Sequence, residues 1–66
     1  MKMFTVYNLM NNECLSFKHF GAACQYVIKT LQKMEKECPG TVYDVRQENG
    51  GFIFEIWENS ALILQK

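Results

Sequence analysis

The spacing of apolar and polar positions changes along the chain, and each change predicts an element. From Met3 to Leu9, Phe4, Val6 and Tyr7 mix with Thr5 in the manner of a strand. Asn8, Asn11, Asn12 and Glu13 then supply turn chemistry, after which Cys14 to Phe17 reads as a short returning strand. The period next becomes helical. At about 100° per residue, Phe20, Ala23, Cys24, Val27, Leu31, Met34 and Cys38 share one face. Lys18, Ala22, Gln25, Lys29, Gln32, Lys33 and Lys36 lie almost opposite, so a helix is expected over 18–37. Pro39-Gly40 ends it, because proline cannot continue the hydrogen-bond ladder and glycine accepts the exit geometry.

Thr41 to Glu48 and Gly51 to Glu58 are β-rich and flank Asn49-Gly50, a hairpin signal of the type I′ class. A two-residue loop would set Gln47 against Phe52, Val45 against Phe54 and Tyr43 against Ile56, on a face turned to the helix. The opposite face would carry Val42 across from Trp57, Asp44 across from Glu55 and Arg46 across from Ile53. If Gly51 joins the turn, the loop lengthens to three residues and the pairing shifts. Asn59-Ser60 makes a further turn, and Ala61 to Leu64 reads as an edge strand. The class expected is α+β: one amphipathic helix packed on a small antiparallel sheet of three to four strands. The core order is β-α-β-β, with additional short strands near 14–17 and 61–64, and residues 1–66 form a single domain.

Composition adds limits. Of 66 residues, 48% are hydrophobic and 21% charged, with four glycines and one proline, as in a folded chain. A domain this short buries only about 60% of its unfolded surface, so a deep pocket and its scaffold compete for the same residues. Met1 to Tyr7 lack the apolar stretch and cleavage site of a signal peptide. Ala61 to Leu64 is far shorter than the roughly 20 apolar residues of a membrane span. Cys14, Cys24 and Cys38 form an odd set without a C-x-x-C pair, as expected of reduced thiols in a cytoplasmic protein. His19 stands between Cys14 and Cys24, but ligand pairs at zinc-knuckle spacing are missing, so no metal or other cofactor is expected.

The net charge of zero hides a division. Lys2, Lys18, Lys29 and Lys33 against Glu13 give residues 1–34 a net charge of +3. Residues 35–66 set Lys36, Arg46 and Lys66 against six carboxylates, a net charge of −3. Lys18, Lys29, Lys33 and Lys36 form a ridge able to meet phosphates, but without arginine it offers point charge and no bidentate base reading. Nucleic acid is therefore the alternative partner.

The favoured surface is Asp44, Arg46, Ile53, Glu55 and Trp57, where acidic groups surround an aromatic anchor. Two carboxylates opposed across a strand pair repel unless something compensates, and Arg46 lies diagonal to Glu55 in that register. Trp57 is either exposed there or covered by Ala61 to Leu64 or by a second copy. A positioned nucleophile, base and oxyanion site are all missing from the pattern, so an enzyme is not expected.

In size, composition and architecture the chain resembles small intracellular proteins of phages and other mobile elements, many of which bind and block one host protein. That resemblance implies an inhibitor or adaptor, an anti-defence protein among them, and it carries over no site residue. The expected function is thus non-catalytic binding of a host or cellular protein, without a membrane role. A homodimer formed through sheet edges or the Trp57 face is a third reading.

Overall fold

A computed structural model describes residues 2–66. Alternation produces the first hairpin: β1 (Phe4–Asn8) pairs antiparallel with β2 (Cys14–Phe17), with Phe4 opposite Phe17 and Val6 opposite Leu15. Its turn is held by asparagine side chains. Asn8 Oδ1 accepts from the Met10 N–H at 2.9 Å, and Asn11 Oδ1 from the Glu13 N–H at 3.0 Å. Asn12 takes the left-handed conformation, φ 62°, which asparagine tolerates better than most residues.

Helix α1 (Phe20–Glu37) follows, two residues shorter at its start than the periodicity predicts. Its predicted stripe does face the core. Ala23 and Val27 are buried, Cys24, Leu31 and Met34 pack beside them, while Phe20 and Cys38 at the ends stay exposed.

The segment after Pro39-Gly40 departs from expectation. Thr41–Glu48 is a second helix, α2, and not the first strand of a hairpin. Local chemistry explains it once the element is seen. Val42 and Val45 are three residues apart and both pack against the core, a spacing that a helix brings to one side and a strand does not. Asp44 lies in the first turn and Arg46 in the last, each complementing the helix dipole. Asn49 has φ −100°, which a type I′ turn forbids, whereas Gly50 and Gly51 have φ 77° and 107°. The Gly51 N–H donates to the Arg46 carbonyl at 2.6 Å, the six-to-one bond of a Schellman cap. Asn49-Gly50 therefore closes a helix.

Strand β3 (Phe54–Glu58) pairs with β1 on one side and with β4 (Ala61–Gln65) on the other. The sheet order is β2-β1-β3-β4, all antiparallel, and the chain order is β-β-α-α-β-β. The α+β class holds, with two helices where one was expected. Asn59-Ser60 does turn the chain into the last strand, Asn59 taking φ 55°.

Phe4, Val6, Phe54 and Ile56 point to the helices and, with Ala23, Val27 and Ile53, make the core. Ile53 precedes β3, so strand alternation does not govern it, and it is buried in sequence with Phe54. Its N–H donates to the Lys66 carbonyl and its carbonyl accepts from the Leu9 N–H, both at 2.8 Å. No helix among the described residues is long and apolar enough to cross a membrane.

The helical state of 41–48 changes the role of Tyr43 and leaves that of Val45 as it was. Tyr43, placed inward by the hairpin register, is 67% exposed, while Val45 packs on the core. Urea unfolding should show Tyr43→Ala within about 0.5 kcal/mol of wild type and Val45→Ala lower by about 1–2 kcal/mol. A loss of about 1 kcal/mol or more in both variants would fit a strand, which turns both residues to the core.

Candidate functional site

Helix α1 covers one face of the sheet, with Ala23 and Val27 in one cluster with Phe4, Val6, Phe54 and Ile56, and α2 packs beside α1 with Val42 and Val45 against the same core. The other face has no helix against it. Strand register assembles it in two rows. One runs Ser16, Thr5, Trp57, Leu62 across the four strands, and the other Cys14, Tyr7, Glu55, Gln65. Four residues of this grid carry most of its chemistry: Tyr7, Glu55, Trp57 and Leu62.

Tyr7 and Trp57 are diagonal neighbours whose rings meet edge to face, with centroids 6.3 Å apart and planes at 80°. This arrangement sets the positive edge of one ring toward the negative face of the other. Tyr7 remains 39% exposed and Leu62 41%, with Trp57 half-buried between them. A register shift falls between Ile56 and Trp57, where β4 accommodates Ile63 as an extra residue. That bulge sets Leu62 opposite Trp57 and leaves Ile63 exposed at the sheet edge. The C-terminal strand thus extends the sheet beside Trp57 and does not cover it.

Glu55 is fixed from two sides. Its Oε1 accepts from Trp57 Nε1 at 3.2 Å, and its Oε2 accepts from Gln65 Nε2 at 3.2 Å. Tyr7 stands directly opposite on β1. Tyr7, Glu55 and Trp57 line a shallow open depression of about 190 Å³. A carboxylate oxygen has room for a further hydrogen bond after accepting one, so Glu55 keeps acceptor capacity toward solvent.

The structure brings together only part of the predicted surface. Glu55 and Trp57 share the open face. Ile53 is 0% exposed in the core, because it lies ahead of the strand and not across from Arg46. Asp44 and Arg46 belong to α2, which sits on the helical side. The predicted opposition of Asp44 and Glu55 does not occur, and neither does the diagonal support from Arg46, since both required 41–48 to be a strand. Tyr7 and Leu62 replace them. Alternation within β1 already turned Tyr7 away from Phe4 and Val6, but only the β1–β3 pairing sets it beside Trp57.

Lys29, Lys33 and Lys36 are exposed along α1, and exposed Lys18 precedes the helix. Lys33 Nζ lies 3.9 Å from Glu37 Oε1, one helical turn on, so this ridge alternates in sign near its end. A second depression of about 330 Å³ is lined by Val6, Asn8, Glu13, Cys14, Leu15 and Tyr26. It contains no histidine or lysine to act as base toward Cys14. Among the described residues, no three His, Cys, Asp or Glu side chains converge on a metal-sized site. No family model, curated protein or solved structure matches the chain.

Proposed function

We propose that this chain is a non-catalytic protein-binding module that docks on its partner through the open sheet face centred on Trp57 and Glu55. The observation that carries the reading is an aromatic and aliphatic strip, Tyr7–Trp57–Leu62, left uncovered on one face of the four-stranded sheet. An exposed apolar patch bordered by polar groups is the common form of a protein interaction site. A half-buried tryptophan already braced by Glu55 and Tyr7 loses little side-chain freedom on binding, which favours affinity.

The fitting role is that of an inhibitor or adaptor occupying one surface of a host protein, in the manner of the small phage and mobile-element proteins it resembles. The free thiols of Cys14, Cys24 and Cys38 suit a reducing compartment such as the cytoplasm. Nucleic-acid binding through Lys18, Lys29, Lys33 and Lys36 has weaker support, since Glu37 sits within the ridge and no arginine or aromatic joins it.

Affinity capture from the native cell, repeated with two charge-reversal variants, tests the face. Glu55→Lys should abolish capture of the partner with the fold retained by circular dichroism. Asp44→Lys, on the helical side, should capture as wild type does. Equal capture by both variants would remove the sheet face from consideration.

A further inference from the structure

Resting on the reading above, we infer that the Tyr7–Glu55–Trp57 depression is a receptor for one arginine side chain of the partner protein. Three observations converge on a guanidinium. The first is charge. Glu55 is the one carboxylate in the two rows of the open face, and no lysine, arginine or histidine among the described residues pairs with it. The ion pair seen among the described residues is Lys33–Glu37, on α1.

The second is the pre-set carboxylate. Trp57 Nε1 and Gln65 Nε2 each satisfy one oxygen of Glu55 and fix the group in place, leaving a further acceptor site on each oxygen. Two free acceptor sites on a fixed carboxylate match the paired N–H donors of a guanidinium. An ammonium, as a point charge, uses that geometry less well.

The third is the aromatic wall. Tyr7 and Trp57 flank the carboxylate, and Trp57 gives the strongest attraction to a cation over its face. The depression, about 190 Å³ and open to solvent, admits a side-chain head group and is too shallow to enclose a larger ligand. Sheet pairing supplies the walls from adjacent strands, so the site is present before the partner arrives.

The test uses the isolated chain and defined probes, with two reporters that both touch Glu55. These are the N–H signals of the Trp57 indole and the Gln65 side-chain amide in a ¹⁵N correlation spectrum. At low ionic strength, acetyl-Gly-Arg-Gly-amide should move both signals saturably, with a midpoint of about 10 mM. The lysine analogue should bind about fivefold more weakly, and the neutral citrulline analogue should leave both signals in place. Glu55→Gln, which is isosteric and keeps an acceptor for one neighbour, should lose the arginine response.

Several results would overturn the assignment. They are no saturable shift up to about 0.1 M arginine peptide, an equal response to citrulline or lysine, or an undiminished response in Glu55→Gln. Concentration-dependent sedimentation abolished by Trp57→Ala would also overturn it, since a second copy would then fill the face. The outcome is separable from the docking reading. A failed arginine titration with partner capture still lost in Glu55→Lys sinks only the arginine site. A successful titration with capture intact in Glu55→Lys sinks the docking face.

Discussion

Phe54→Ala is expected to remove about a third or more of the stability of the fold. Phe54 is the largest fully buried side chain and stands where α1 meets the centre of the sheet, with the Tyr26 ring edge-on at 6.2 Å. Removing a buried phenylalanine costs about 3–5 kcal/mol through lost transfer energy and the cavity left behind. A chain of 66 residues holds on the order of 3–10 kcal/mol in total, so one substitution removes a large share of it. Collapse of the site cannot recover much, because its neighbours Ile53 and Ile56 are themselves fixed in the core. Phe54→Leu keeps most of the volume and should cost under about 1.5 kcal/mol. Urea unfolding followed by far-ultraviolet circular dichroism measures both. A loss below about 1 kcal/mol for Phe54→Ala would contradict the core described above.

The second large effect is on binding and not on folding. Trp57→Ala should weaken partner affinity by about 30-fold or more, the loss of a central aromatic anchor worth on the order of 2 kcal/mol. Its cost to stability should be nearer 1 kcal/mol, since the residue is half-buried and its main partners are the Tyr7 ring and one oxygen of Glu55. Leu62 and Tyr7 remain in that variant and keep part of the apolar contact. Isothermal titration against the captured partner, with chemical unfolding of the same sample, separates the two effects. Near-wild-type affinity in folded Trp57→Ala would exclude this residue as the anchor.

The two predictions act on opposite faces of the same strand. In β3, Phe54 and Ile56 point inward while Glu55 and Trp57 point outward, so stability and recognition are divided residue by residue. This division suits a chain too short to give separate segments to core and site. It also explains why only Glu55 and Trp57 of the expected surface share one face. Glu55 and Trp57 belong to a strand that local pattern identifies. Ile53, Asp44 and Arg46 were attached to them only through a register that never forms.

Thr41–Glu48 shows why local pattern fell short. Thr41, Val42, Tyr43 and Val45 all favour strands, and Asn49-Gly50 favours a tight hairpin, so both signals agree on the wrong element. Strand propensity, however, reflects a place in a sheet more than a preference of the backbone itself. The edge of β3 that this segment would have used is taken by β1, from the far end of the chain. Deprived of a ladder, the segment satisfies its backbone internally as a helix and packs Val42 and Val45, both half-buried, on the core. Gly50 and Gly51 serve either outcome, because both a hairpin turn and a helix cap call for positive φ.

What the sequence determined by itself was the set of elements whose signals are periodic and local. These include the first strand and its asparagine turn, the return at Cys14–Phe17, the long helix with its apolar stripe, and the last strand beyond Asn59-Ser60. It also determined a charge division that a net value of zero conceals. Tertiary structure decided which strands are neighbours, and with that the identity of 41–48 and the membership of the open face. Pairing between β1 and β3 joins residues about fifty positions apart, and no short-range pattern encodes it. Tyr7, Glu55 and Trp57 became one site because long-range register, and not sequence proximity, sets which side chains share a face.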